Sequence, residues 1–270
     1  LYTIYCKIQV ERKKRNVYDY MEQKRQLKAV VLAAGKGTRL HDDEIDAPKV
    51  MREANGKPLL RYVLDAISFI ERKDIILVVG YKKETVINAF TGYPYAIQNE
   101  QLGTGHAVMS AENQLRNYTG ALLVCYGDMP AIKREVYEQL INTHFEEGND
   151  CTLLTGESTL KMSFGRVERD ENGSFLQVVE EKDCTPEQLE IKELNTGVYV
   201  FDTPLLLDSL KELKNDNSQG EYYITDVPAI MREKGAKIGI LKRNLGDDII
   251  GVNTVEQLKM VERILSLNTR

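Results

Sequence analysis

From residue 28 onward, apolar runs of strand length alternate with amphipathic stretches of helix length, and this alternation limits the fold more than any other feature. KAVVLAA (28–34), IILVVGY (75–81), ALLVCYGD (121–128) and CTLLTGE (151–157) are near-continuous apolar segments, and YAIQ (95–98) is a shorter one. Such runs fit strands buried on both faces of a parallel sheet, where neither face needs a polar stripe. Between them, KPLLRYVLDAISFI (57–70) sets Leu60, Val63, Leu64, Ile67 and Ile70 on one helical face. Further helices are expected over 83–90, 104–115 and 133–147. The repeated order predicts an α/β fold with right-handed crossovers, a mostly parallel sheet and helices on both faces.

The rhythm changes after residue 157. FGRVERDENGSFLQVVEEKD (164–183) reads as an inserted antiparallel hairpin, with Asn172-Gly173 in its turn. ELNTGVYVFD (193–202) is a strand, Pro204 opens a helix, and another helix is expected across Tyr222–Lys234. KIGILKR (237–243) is a further strand and Val255–Leu267 a terminal helix. No hinge rich in Pro, Gly or Ser divides residues 28–270, so one domain is expected there.

Composition narrows the function classes. With 42% hydrophobic residues the chain is not of the disordered type, and no apolar run approaches the roughly 18–20 residues of a membrane span. A net charge of −5 argues against a general nucleic-acid binder held by phosphate neutralisation. Residues 1–27 stand apart, with seven Lys/Arg against three Asp/Glu. No apolar stretch follows the KKR cluster, so this basic leader is not a secretory signal. With Met21 just ahead of the first strand, it is expected to be disordered or an upstream extension. Cys6, Cys125, Cys151 and Cys184 form no C-x-x-C and no cluster with histidine, which excludes zinc and disulfide frameworks and suits a reducing cytoplasm.

Candidate chemistry gathers where strands end, the place at which open α/β sheets bind ligands. In VVLAAGKGTRL (30–40) a strand runs into Gly35 and Gly37, so backbone N–H groups can crowd around a phosphate. Ala33 and Ala34 leave room for a flat base or a ribose, and Arg39 offers a guanidinium fork to phosphate oxygens. The spacing matches neither G-x-G-x-x-G nor the Walker pattern. Lys49 follows Pro48 on a stiff segment as a second cation. Gln98 can read a donor and an acceptor on a base edge, and Gly103-Thr104 opens a helix beside it. Asp128, after the strand ALLVCY, is of the type that holds Mg²⁺ together with phosphates and water.

These residues stand in a larger order: VLAAGKGTRL, APKVM, GKPLL, QNEQLGTGHAV, GDMP, FGRV, VVEEKD, ELNTGVYVF, QGEYYITD and GVNT. That order resembles the sugar-1-phosphate nucleotidylyltransferases, most closely the N-acetylglucosamine-1-phosphate uridylyltransferase domain of bifunctional bacterial enzymes, over roughly residues 28 to 260. The resemblance implies a Rossmann-like nucleotidyltransferase fold for residues 28–270. It also implies transfer of UMP from UTP to a sugar-1-phosphate, with release of pyrophosphate. It places Ala33, Ala34 and Gly35 along the nucleotide, Arg39 and Lys49 on the triphosphate, and Gln98, Gly103 and Thr104 at uracil. Asp128 and Asn253 would bind Mg²⁺, and Gly165, Glu180 and Asn195 the amino-sugar.

Three departures accompany the match. The linker LHDDEIDAP (40–48) is longer and more acidic than is usual in the family. TVEQL follows Asn253 where the amino-sugar enzymes carry an arginine. No hexapeptide repeat of the kind that builds an acetyltransferase β-helix occurs in the sequence, so acetyl transfer is not expected of this chain. Of the three histidines, His41, His106 and His144, none belongs to a Ser-His-Asp pattern, and His106 reads as structural. The competing expectations are another sugar-1-phosphate and NTP pair, or a non-catalytic relative that binds nucleotide-sugars for regulation.

Overall fold

The computed structural model describes residues 26–37, 47–157, 163–244 and 246–268. Arg39 and most of the acidic linker lie outside the described residues, as do the basic leader up to Arg25, Cys6 and His41. Eleven strands are described: β1 (Leu27–Ala33), β2 (Glu53–Ala54), β3 (Lys57–Pro58), β4 (Ile75–Val79), β5 (Tyr95–Ile97), β6 (Ala121–Tyr126), β7 (Cys151–Glu157), β8 (Arg166–Arg169), β9 (Phe175–Val179), β10 (Glu193–Asp202) and β11 (Ile238–Arg243). The main sheet runs β11-β7-β10-β6-β1-β4-β5, with the β8–β9 hairpin joined to β10. β1 pairs parallel with β4 and β6, β4 with β5, and β7 with β11. β10 alone on this path runs against its neighbours β6 and β7. The fold is thus the mixed, mostly parallel α/β architecture that the alternation predicts.

The period of two along β1 splits the core. Ala29, Val31 and Ala33 face one hydrophobic cluster, and Val30, Leu32 and Ala34 the other. Leu59, Leu60, Val63 and Leu64 of the helix Leu59–Ala66 fill the first cluster, with Tyr137 and Leu140 of the helix Arg134–Glu147. Each of these fully buried aliphatic side chains contributes about 2 kcal/mol of transfer free energy. Ala107, Val108, Leu206, Val227 and Met231 close the opposite face. Cys125 and Cys151 are buried in the two clusters, and burial pushes the Cys125 thiol up to about 12, so it packs as a small apolar group. No helix among the described residues is long and apolar enough to cross a membrane.

Two helices differ from expectation. The one expected over 104–115 is two, Thr104–Met109 and Glu112–Leu115. The break follows Ser110, whose hydroxyl donates back to the His106 carbonyl (2.9 Å), a competitor of the regular ladder. The helix expected across Tyr222–Lys234 reaches its α-helical form only at Val227, with Pro228 in its first turn, after a short 3₁₀ turn at Ile224–Asp226. Tyr222 is instead tied outward: its N–H donates to Leu102 O (2.8 Å) and its carbonyl accepts from Gly105 N (2.7 Å). In the hairpin, Gly173 (φ 81°) does take the turn, and Asp170 Oδ1 accepts from both Asn172 N and Ser174 N.

Candidate active site

A cavity of about 380 Å³ opens beyond the C-terminal ends of β1, β5 and β6. Because β10 runs the other way, its N-terminal residues arrive at the same end of the sheet. Ala34, Gly35, Lys49, Gln98, Gly103, Thr104, Asp128, Gly165, Glu180, Asn195 and Asn253 all line this cavity. Ala33 does not: its methyl is buried in the core cluster beneath.

Lys49 sits at the start of a 3₁₀ turn, Lys49–Met51, with Pro48 ahead of it at φ −56°. Gly37 has φ 69°, and a Cβ there would come within 2.7 Å of the Lys49 Cβ, so the second glycine of the loop lets this lysine pass. The ammonium ion-pairs with Asp128 Oδ2 and donates to Asn253 Oδ1 (2.6 Å). Asp128 and Asn253 are neighbours because the Val252 N–H donates to the Asp128 carbonyl (3.0 Å). The T-V-E-Q run after Asn253 turns out to be a capping box. Gln257 Oε1 accepts from Asn253 N (2.7 Å) and Thr254 N (3.1 Å), while Gln257 N donates to Thr254 Oγ1 (3.2 Å). This departure in sequence therefore fixes the asparagine at the helix start.

The surroundings of Gln98 differ from its reading as both donor and acceptor. Its Nε2 donates to Gly103 O (3.0 Å) and lies 3.2 Å from His106 Nδ1. With both amide hydrogens engaged within the protein, Gln98 is left with Oε1 as an acceptor. His106 has the structural role expected of it, since it helps orient Gln98. Thr104 is also engaged: its hydroxyl accepts from Ile224 N (3.0 Å) and hydrogen-bonds the Tyr126 phenol.

On the far side, β10 carries a register shift between Asn195 and Tyr199. Gly197 makes it possible, at φ 77° and with the Tyr126 ring where a Cβ would stand. Asn195 Nδ2 donates to Tyr199 OH (2.6 Å), but the buried Asn195 Oδ1 has no partner. An unmet polar group in the interior is costly, and of the described residues with one, Asn195 is the one that lines this cavity. Glu180 accepts from Thr225 Oγ1 (2.9 Å). Burial raises the Glu180 carboxyl above the ordinary range, against the pull of that hydroxyl.

Sequence reasoning assigned no role to Tyr126, Glu221, Tyr223 and Thr225, which also line the cavity. QGEYYITD was visible as a motif, but nothing in its composition says that Tyr222 folds back onto the loop around Leu102–Gly105.

The site and the sheet together define an enzyme class, and the comparisons agree. Residues 28–249 match the nucleotidyl transferase family, and the chain belongs to it, as an enzyme that transfers a nucleotidyl group. It is similar to proteins named "Bifunctional protein GlmU". The match is 44% identical over 237 residues with that of Lactobacillus delbrueckii subsp. bulgaricus (87% of this chain, 51% of the relative). It is 44% over 241 residues with that of Clostridium novyi (88% and 52%), and 42% over 238 residues with that of Streptococcus gordonii (88% and 51%). The chain spans about half the length of these curated relatives.

Proposed function

We propose that residues 28–270 form a catalytic domain that transfers UMP from UTP to N-acetylglucosamine-1-phosphate, giving a nucleotide-sugar and pyrophosphate. The observation that carries the amino-sugar assignment is the buried, unpartnered Oδ1 of Asn195, in a cavity that Glu180 also lines. Two acceptors at one wall suit a sugar that presents an acetamido N–H together with hydroxyl groups. Gln98, confined to its Oε1, suits the imide N3–H of uracil. Gly35 lies along the ribose and phosphates.

Chemistry here is alignment and charge neutralisation. The sugar phosphate is mostly dianionic at neutral pH, since its second pKa is about 6, so it needs no general base. One of its oxygens forms a bond to the α-phosphorus as the α–β bridging bond breaks, and pyrophosphate leaves with the electron pair. Lys49 supplies positive charge at that point, and Arg39 from the same loop region is assigned to the triphosphate. Asp128 Oδ2 and Asn253 Oδ1 both reach the Lys49 ammonium, so two hard oxygen donors converge where a cation already sits. Such a pair fits Mg²⁺, which takes one or two protein oxygens and fills its shell with phosphate and water. Bound there, Mg²⁺ would neutralise phosphate charge. The buried thiols suit a reducing cytoplasm as the setting.

A panel of sugar-1-phosphates crossed with the four NTPs, read by pyrophosphate release, tests this. UTP with N-acetylglucosamine-1-phosphate should give the highest kcat/KM. A flat panel, or release with no pair at all, would remove the proposal.

A further inference from the structure

Thr104 and Thr225 belong to different halves of the cavity, yet one short stretch of backbone, Tyr222–Thr225, is hydrogen-bonded to the first and carries the second. The base loop, Gln98 to Gly105, lies directly on the segment Tyr222–Thr225, which runs into the 3₁₀ turn Ile224–Asp226. Tyr222 N donates to Leu102 O (2.8 Å), Gly105 N to Tyr222 O (2.7 Å), and Ile224 N to Thr104 Oγ1 (3.0 Å). One residue further on, Thr225 Oγ1 donates to Glu180 Oε1 (2.9 Å). Gly103 sits at φ 112°, and a Cβ there would meet Tyr222 O at 2.5 Å and Tyr222 N at 2.8 Å. Backbone therefore rests on backbone, with no side chain between them to absorb a shift.

The Thr104 hydroxyl is fully placed within this network. It accepts from Ile224 and pairs with Tyr126, which stands two residues before Asp128. A hydroxyl has one donor, so its capacity to read a base directly is small. Thr225 is buried, lines the cavity and holds the carboxylate assigned to the sugar.

We propose that Thr104 and Thr225 are positioning residues, which couple the nucleotide half of the site to the sugar half through Tyr222–Thr225. A nucleotide that settles the base loop thereby settles the segment that aims Glu180. Coupling of this kind is reciprocal in binding free energy, so each ligand tightens the other by the same factor. The inference rests on the proposed reaction, and its test is chosen to fail separately from it.

The affinity of N-acetylglucosamine-1-phosphate is measured by calorimetry with and without α,β-methylene-UTP and Mg²⁺, which needs no turnover. In the wild type the nucleotide analogue should tighten sugar-phosphate binding. Thr104→Val should abolish that tightening and raise the sugar-phosphate KM about tenfold at saturating UTP, the scale of one lost hydrogen bond with the Ile224 N–H left unmet. Thr104→Ser, which keeps the hydroxyl, should restore both. Thr225→Val should match Thr104→Val, and the double variant should lose about tenfold in all rather than a hundredfold, as members of one network do. Melting temperatures check that each variant is folded. If Thr104→Val weakens the nucleotide alone, or if the two losses multiply, the coupling is overturned. Absence of nucleotide-sugar formation by the wild type would overturn the reaction instead.

Discussion

The two halves of the cavity solve recognition by opposite means. The half assigned to the nucleotide is built at the ends of parallel strands, where β1 and β6 bring only Leu32 and Tyr126 to the cavity and the loops beyond supply the rest. The half assigned to the sugar sets polar groups inside the sheet: Asn195 and Thr196 line the cavity, and Thr155 and Glu193 are buried with them on β7 and β10. There Thr155 Oγ1 donates to Glu193 Oε1 (2.7 Å), Arg169 pairs with Glu193, and Thr196 Oγ1 donates to Leu154 O (2.8 Å). A loop can be shaped around a ligand with little consequence for the core. A polar strand must be satisfied by its neighbours, so the sugar half has its function and its stability bound together.

Substitutions in the two halves should therefore fail differently. The largest effect is expected at Asp128, which shares the Lys49 ammonium with Asn253 outside the sheet. Asp128→Ala should lower kcat/KM by roughly a thousandfold, the scale of a removed preorganised electrostatic group. Its melting temperature should stay near that of the wild type, and an active variant would break the comparison at its strongest point.

Glycine gives the next contrast. Gly197→Ala would force φ 77° on an L-residue and set a methyl 2.2 Å from Tyr126 Cε2. About 3 kcal/mol of stability should be lost, roughly 8 °C in a chain of this size. Gly35 has no atom within 4 Å of a Cβ position and no positive φ. Gly35→Ala should melt like the wild type while raising the KM for UTP. Equal melting temperatures for the two variants would remove the distinction between the halves.

The same contrast explains what could be read before the fold was known. The parallel strands were legible because burial on both faces forces a continuous apolar run, and the glycine loop because phosphate binding needs bare backbone. Asn195 and Glu180 carried no such signature. Taken singly, Asn195 is a turn-like residue and Glu180 one acid among EEKD, and only the order of the family motifs marked them. The antiparallel placement of β10 within the parallel sheet depends on partners far away in sequence, so no local pattern encodes it. Thr104 is expected at the base beside a helix start, and no local pattern foretells that its hydroxyl also accepts from Ile224 N, 120 residues away. The acid-rich linker and Arg39 fall outside the described residues.

A smaller effect sharpens the assignment of Asn195. Asn195→Ala should cut the preference for N-acetylglucosamine-1-phosphate over glucose-1-phosphate about tenfold, since one buried acceptor is removed. Catalysis with glucose-1-phosphate should change little. A preference that survives would move the acetamido contact to another residue.

The smallest expected effect comes from the acidity of the sugar half. Among the described residues, the two carboxyl groups pushed upward are Glu180 and Asp226, both on this side. Burial first, and then the charges of Glu180, Asp183 and Asp216, lift Asp226 from 3.8 to about 6. Asp226 precedes the helix Val227–Glu233 yet makes no side-chain capping bond. A carboxyl that holds its proton more tightly when folded favours the native state fully below about pH 4, and that advantage is lost as pH rises through about 6. Asp226→Asn keeps the shape of the protonated acid at every pH. At pH 8 it should raise the melting temperature by about 3 °C, for about 1 kcal/mol after discounting for exposure. At pH 4 the two proteins should melt together. A gain of equal size at both pH values would assign the effect to the helix start rather than to charge, and the acidic character of the sugar half would carry no weight in its stability.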